Sequence, residues 1–526
     1  MKERKSGRAP DIGFSLFHSL ALSLFIMGII KRQTIQGTIF TYAGIVIGFV
    51  TMGLLLPKVL TPDQNGLIGL LIALSIILTQ FSNLGINGAG GRYFPYFRNY
   101  EQGHGGFLLL ASGVSLLGFA LSVFILWSFR PYIVAENAEK SALFVQYYYL
   151  LIPLTFFTLF FNLFDNYAKL LYDSVTGTFL QQFLQRLLLL CAVIVYWFDW
   201  ITFPTLLALW MGSYGVQMLL MVAKVIRDGH FTLDPKQLQL TPELRRELFR
   251  YASLTLLTGL SSQVILHIDK YLVNDALGLA QTGIYSISAN FGTVIAAPAT
   301  MLYKVSGVVI ADSWKANDLA NISNIYRKSC LSQLVVGTLV FVGIAANLPS
   351  VFEVLPKGYE AGYYVILWIG FGKLIDMATG VNGTILATSR YYAFDSLFFI
   401  LMVAVTITTT RALIPVFGLE GAAIGAAIAT ALFNAARTGF VWYKFGLQPF
   451  TWRNLAVIAV GLLVWALAVQ APYLSGNLWQ VGVDVALRSA FITIIFGGLI
   501  YFLKISPDIN QLLTGAWLNR RKSVSP

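Results

Sequence analysis

Apolar runs long enough to cross a bilayer recur along this chain from end to end, separated by short polar turns. A hydrocarbon core about 30 Å thick takes roughly 20 helical residues at about 1.5 Å each. Fourteen candidate spans of that kind begin near residues 34, 66, 106, 143, 177, 201, 251, 283, 329, 361, 392, 419, 452 and 481. The pattern predicts an all-α polytopic membrane protein. The longest polar connection, Lys224 to Arg250, has six spans before it and six after, with two remaining. Within it, TPELRRELFRY offers Thr241 as an N-cap, Pro242 at the first helical position, and Leu244 and Leu248 four apart. That is the signature of an amphipathic helix lying on the inner membrane surface. It reads as an anchoring linker; a switch or partner-binding role is the sharper alternative.

The expected organisation is an N-terminal extension (1–26), a six-helix bundle (27–226), a linker with its amphipathic helix (227–250), a second six-helix bundle (251–446), and two further spans with a basic tail (447–526). The stretch Tyr251–Ser288 supports the division, because it echoes the start of the chain. Placing Leu60 on Leu277 sets Gln64-Asn65-Gly66 against Gln281-Thr282-Gly283, each time a long apolar helix, a turn, and a glycine opening the next apolar run. The extension carries Lys2, Arg4, Lys5 and Arg8 ahead of the uncharged run Ile12–Ile30. It is read as surface-lying, since a span there would invert every later loop; a natural start at Met27 is the other reading.

Composition agrees with a membrane location: 57% of residues are hydrophobic and 11% charged, where soluble domains carry about 25% charged. The formal charge of +12 does not point to nucleic acid, because the basic residues flank apolar runs. With Lys31 and Arg32 inside, 23 Lys and Arg from Lys31 onward fall in inside loops or helix ends and seven outside (Lys58, Arg130, Lys140, Lys270, Lys357, Arg411, Arg488). That bias places the C-terminus in the cytoplasm. Cys191 and Cys330 sit in apolar runs, without the spacing of a disulfide framework. There is no GxxxxGK[ST], HExxH, paired CxxC or Asp-x-Asp, which disfavours an ATP-driven pump or a metalloenzyme, and no metal is expected. Short outside loops leave no room for the external catalytic loop of a glycan ligase or polymerase.

Charges at bilayer depth mark candidate sites, because each is costly unless it faces a cavity or a partner. Arg186 lies about ten residues into its span, roughly 15 Å deep, with no local carboxylate. Lys373 and Asp376 are three apart on one helix face near mid-span. They are either a self-neutralised structural pair or a cavity-facing pair, the carboxylate taking a proton or ion and the amine an anion. Asp269 and Lys270 lie near the outer end of the seventh span. Their side chains diverge by about 100°, so that one faces the cavity and the other snorkels outward, unless both form an ordinary interfacial pair. Arg437 sits near the inner surface, where it meets a headgroup or ends a helix. His267 reads as a packed polar residue, Asn434 as helix-packing glue, and the small residues of GLEGAAIGAAIAT as a close-packing face.

GIIKRQTIQGTIFTYAGIVIGF, IDKYLVNDALGLAQTGIYSIS, GKLIDMATGVNGTIL and GLEGAAIGAAIAT, in that order and with this span count, resemble the polysaccharide and O-antigen flippases (Wzx-type) of the multidrug/oligosaccharidyl-lipid/polysaccharide (MOP) exporter superfamily. The resemblance runs over nearly everything from Met27 onward. It implies two pseudo-symmetric six-helix bundles around a central cavity that opens alternately to either side, plus two C-terminal helices. It further implies a non-enzymatic flippase of the inner membrane that moves undecaprenyl-diphosphate-linked oligosaccharide for surface polysaccharide or lipopolysaccharide synthesis. Such a protein would use no cofactor beyond H+ or Na+ as coupling ion, and would act as a monomer alongside polysaccharide polymerase machinery. In that picture Arg186, Lys373 and Arg437 would bind the substrate anion, while Asp376 or Asp269 would couple to the ion. The alternatives are an ion-coupled multidrug exporter of the same fold, a peptidoglycan-precursor flippase, and, from another class, a membrane glycan ligase or polymerase.

Overall fold

In the computed structural model, residues 36–98, 103–238, 240–474 and 476–507 are described, together with Gln33 and Asn510. The extension 1–26, the Met27 start and the basic tail beyond Asn510 lie outside the described residues. Every regular element among the described residues is helical. The first half comprises α1 (Gln36–Val59), α2 (Pro62–Ser82), α3 (Ile86–Phe97), α4 (His104–Asn137), α5 (Ala142–Leu170), α6 (Val175–Trp197) and α7 (Phe203–Arg227). The second comprises α8 (Pro242–Leu277), α9 (Leu279–Lys315), α10 (Leu319–Val354), α11 (Tyr363–Ala378), α12 (Asn382–Thr388), α13 (Tyr392–Phe445), α14 (Trp452–Gln470) and α15 (Leu478–Phe502).

Eleven helices among the described residues are long and apolar enough to cross a membrane, or twelve if the segments Tyr359–Ala378 and Asn382–Thr388, bent by 53°, make one span. The sequence suggested fourteen. The structural count takes α13 once, although its chain reverses at Gly418 (φ 56°, ψ −132°), where the sequence counted two spans, from 392 and from 419. A conformation of that kind suits glycine alone. The two arms of α13 then lie together, with Thr409 Oγ1 donating to Gly425 O across the hairpin at 3.1 Å. A Cβ at Gly425 would sit 2.8 Å from Thr410 N. The small residues of GLEGAAIGAAIAT therefore do pack closely, and the surface they pack on is the preceding arm of their own hairpin.

Thr241 caps α8 through Leu244 N at 3.2 Å, with Pro242 at N1. The TPELRRELFRY stretch is not a separate surface helix. It forms the opening turns of one continuous 36-residue helix, because no breaker intervenes before Gly278. Its Leu244 and Leu248 join the core of Ile86, Phe94, Phe107 and Tyr167 in place of lying on lipid. The end of the molecule at residues 228–241 is called the linker end below, and the opposite one the far end.

The echo between the halves has a physical counterpart at the far end, where α2 and α9 cross. A Cβ on Gly66 would lie 2.0 Å from Leu279 O, and a Cβ on Gly283 would lie 2.0 Å from Pro62 O. In the alignment that pairs Leu60 with Leu277, Pro62 corresponds to Leu279 and Gly66 to Gly283. Each half thus contributes the same positions to the contact, as in an isologous interface. Around it, Asn65 Nδ2 donates to Tyr359 Oη at 2.8 Å, Ser141 Oγ to Asn274 Oδ1 at 2.8 Å, and Asn274 Nδ2 to Asn137 Oδ1 at 2.7 Å. These bonds close the far end between the halves.

One charge counted on the outer side by sequence, Arg488, is drawn into the helix packing beside the far-end turn between α14 and α15. Arg488 is buried within α15, where Nη2 meets Asp484 Oδ1 at 3.1 Å and Pro472 O at 3.2 Å, while the guanidinium stacks 3.9 Å from the Tyr473 ring. Asp484 Oδ2 accepts from Ser350 Oγ of α10 at 2.7 Å. The pair ties the last helical hairpin to the second half, and Asp484 and Arg488, four apart, neutralise each other inside the helix packing. Breaking a buried pair by removing one partner typically costs about 3–5 kcal/mol. Asp484→Ala is therefore expected to lower the detergent-solubilised unfolding temperature clearly below that of the parent; an unchanged melting curve would show that the carbonyls alone hold Arg488.

Candidate functional site

The helix that brings Arg186 to the centre is fixed at the linker end first. Asp173 caps the start of α6, accepting from Val175 N and Thr176 N at 3.1 Å and from Thr176 Oγ1 at 2.7 Å, and pairing with Lys224 at 3.1 Å. Burial alone would raise its pKa, but the Thr176 hydroxyl and amide and the Lys224 ammonium outweigh it and hold the carboxyl below its ordinary range. Above this anchor, Phe179–Leu184 forms a π-helical turn, and α1 has another at Phe49–Leu55. Such turns rotate the residues that follow relative to a regular helix and recur at functional sites.

Arg186 follows the first of these turns and reaches α1, where Nη1 donates to Gly44 O at 2.6 Å and Nη2 to Gln182 Oε1 at 2.9 Å. Gly44 is needed there, since a Cβ would lie 1.8 Å from Gln182 O. The guanidinium carries five N–H donors, so these two bonds leave donors for a ligand. Arg186 lines a cavity of about 420 Å3 with Gln185, Tyr214, Asn65, Asp269 and Lys270 among its walls.

A second cavity, of about 410 Å3, adjoins the first across α8. Leu266, His267, Asp269 and Ala289 face both. Its walls also carry Lys373 and Asp376 of α11, and Asn434 and Arg437 of α13. The five residues singled out from sequence, Arg186, Lys373, Arg437, Asp376 and Asp269, therefore all line this adjoining pair of cavities, the first between the two halves and the second walled by α8, α9, α11 and α13 of the second half.

Their partners differ from the sequence expectations. Lys373 and Asp376 make no ion pair, although they are three apart on α11. Asp376 Oδ1 instead accepts from Asn434 Nδ2 at 3.1 Å, and Asn434 Oδ1 accepts from Thr379 Oγ1 at 2.8 Å and Asn382 Nδ2 at 3.1 Å. Asn434 thus bridges the break between α11 and α12, which the local sequence pattern did not show. Asp269 and Lys270 do not split between cavity and surface: both line the first cavity, because cavities flank α8 on two sides, and Asp269 Oδ2 accepts from Tyr285 Oη of α9 at 2.8 Å. Arg437 is buried away from the surface, 2.6 Å from Asp395 and stacked against Phe433 and Phe399 at 4.0 and 4.7 Å.

Sequence reasoning read His267 as a packed polar residue and Lys270 as half of a pair split between cavity and surface or lying at the interface, and it did not single out Tyr285. A usable signal was present, since three ionisable residues within four positions, His267, Asp269 and Lys270, in a helical stretch (251–274) with no other charge are rare at membrane depth. In all, four basic side chains (Arg186, Lys270, Lys373, Arg437) and two carboxylates (Asp269, Asp376) line the two cavities. Among the described residues, Arg186, Lys270 and Lys373 have no ion-pair partner, so the chamber is set up electrostatically for an anion.

No protein-family model matches this sequence, and no curated protein does. Solved structures are similar. The lipid II flippase MurJ in an inward closed conformation gives a TM-score of 0.67 at 13% identity, over 90% of this chain and 100% of that one. An inward-facing multidrug resistance MATE family transporter of the MOP superfamily gives 0.61 at 13% identity, over 79% of this chain and 96% of that one. A MATE structure in the straight conformation gives 0.51 at 13% identity, over 82% and 96%. At such identities the likeness is one of architecture, and this chain shares the all-helical fold of these solved structures.

Proposed function

We propose that the protein flips an undecaprenyl-diphosphate-linked oligosaccharide across the inner membrane by alternating access, for surface polysaccharide synthesis. The observation that carries this reading is the excess of basic over acidic side chains around the two joined cavities, with Arg186 and Lys373 on opposite sides of α8 and neither in an ion pair. Guanidinium and ammonium groups suit a diphosphate, the former through parallel hydrogen bonds to its oxygens. The prenyl chain stays in lipid while only the polar head crosses the chamber, because burying that head in hydrocarbon would be prohibitive. Asp376 and Asp269 take the coupling role, with H+ or Na+ as the ion. Asp376 sits at a helix break, where polar backbone and the Asn434 network offer further oxygens.

The same walls weigh against a cationic-drug site, which would call for acidic and aromatic surroundings. Flipping of a peptidoglycan precursor is the second reading, favoured by the similarity in fold to the lipid II flippase; it shares the diphosphate and differs in the sugar. The test is reconstitution into liposomes with an ion gradient and a fluorescent prenyl-diphosphate oligosaccharide. The expected result is transfer of the label to the opposite leaflet that collapses when an ionophore dissipates the gradient. Gradient-driven movement of a cationic dye, with none of the lipid-linked sugar, would overturn the proposal.

A further inference from the structure

A second basic cavity lies apart from the chamber, at the linker end where the last helical hairpin meets the second half. It measures about 480 Å3 and is walled by Arg327, Lys328 and Asn324 of α10, Trp452 and Arg453 of α14, and Pro507. No lining residue is acidic, and none is shared with the two central cavities. Arg327 donates from Nε to Gln448 O at 3.2 Å, which fixes one edge of its guanidinium while its terminal nitrogens take no partner among the described residues. Arg453 makes no hydrogen bond or ion pair among the described residues. The start of α14 adds the partial positive charge of a helix N-terminus to these side chains.

What distinguishes this pocket from a site for a free anion is the surface that leads away from it. Trp452 (67% exposed), Leu455 (71%) and Leu462 (62%) form one uncovered stripe along α14, at the three- and seven-residue spacing of a single helix face. From Trp452 to Leu462 the helix rises about 15 Å, the depth of one leaflet of a hydrocarbon core about 30 Å thick. A tryptophan at the junction of pocket and stripe belongs at the headgroup level. We infer that the Arg327–Lys328–Arg453 pocket holds the phosphate headgroup of an anionic phospholipid, whose acyl chains lie along the Trp452–Leu455–Leu462 stripe. Basic pockets between helices on the cytoplasmic side are suited to such headgroups. The bound lipid would brace α14 against α10 from outside, independently of what the chamber carries.

Native mass spectrometry of the delipidated full chain, titrated with cardiolipin, tests the inference without any transport substrate. The wild type is expected to retain cardiolipin, and Arg327→Gln/Arg453→Gln to bind it about thirtyfold more weakly. The control Arg245→Gln/Arg246→Gln, on the exposed start of α8, is expected to bind like the wild type. Equal retention by the pocket variant, or an equal loss in the control, would overturn the assignment. Two measurements on the wild type decide the matter even if the pocket variant is unstable. Phosphatidylcholine retained as well as cardiolipin would mean that charge plays no part. Complete displacement of the lipid by excess inorganic phosphate would mean that the stripe plays none, leaving a free-anion site.

Discussion

Arg186→Ala and Lys373→Ala are each expected to reduce flipping of a prenyl-diphosphate oligosaccharide by at least about a hundredfold, with normal membrane insertion. Truncating one partner of a buried, hydrogen-bonded charge pair costs about 2–5 kcal/mol, and a hundredfold corresponds to about 2.7 kcal/mol. The two residues approach the chamber from different halves, Arg186 from α6 and Lys373 from α11, so each loss would starve a different part of the anion of its contact. Arg186 also bonds to Gly44 and Gln182, and a purely structural role would lower stability as well as transport. Measuring the unfolding temperature beside the flipping rate separates these: an anion-binding role moves the rate and leaves stability nearly intact. Arg186→Lys, which keeps the charge and loses the parallel donors, should recover part of the rate. Wild-type flipping by both alanine variants would remove the anion chamber from the mechanism.

The second large effect is expected at the far end. Any side chain at Gly66 collides with the Leu279 carbonyl, since the added Cβ would lie 2.0 Å from its oxygen. Overpacking of this kind costs about 1–3 kcal/mol, all of it in the state where α2 and α9 touch. Gly66→Ala should therefore populate forms open at that end about tenfold or more above the parent and slow transport. A cysteine at Ala289, which faces both cavities, in a Cys191→Ser background, reports this through labelling by a membrane-impermeant thiol reagent added on the far side. Gly113→Ala, at a glycine with nothing within 4 Å of the added Cβ, serves as control and should label like the parent. A chamber just as protected in Gly66→Ala would show that α2 and α9 do not seal it.

The features legible in the sequence were those written locally. Span positions, the Thr241 cap with its proline, and the echo of Gly66 in Gly283 follow from periodicity, turn chemistry and spacing along a single segment. Depth was legible too, which is why Arg186, Lys373 and Asp376 stood out. What remained hidden was which neighbour each charge meets. Asp376 is bonded to Asn434, fifty-eight positions away, Asp269 to Tyr285 on the next helix, and Arg437 to Asp395 on the other arm of a hairpin. Spacing on one helix made Lys373 the obvious partner of Asp376, but a 3.6-residue period fixes only which side chains share a face, not what that face is turned towards. The azimuth of α8 hid the cavity-facing Lys270 for the same reason, and the break before α12 came without a proline to announce it.

The contact of Gly66 with Gly283 has a consequence for how the closed form is held. Its centre is backbone against backbone, so no side-chain rotamers are frozen when it forms and none are released when it parts. At that centre the adhesion is of the Cα–H to carbonyl kind, about 0.5–1 kcal/mol for each contact, and the three side-chain hydrogen bonds around it add about 0.5–1.5 kcal/mol each. A seam like this excludes water by fit and clings weakly. A ligand that prefers the parted form about a hundredfold supplies roughly 2.7 kcal/mol, comparable to several such contacts, so modest selectivity for one state is enough to tilt the balance between them.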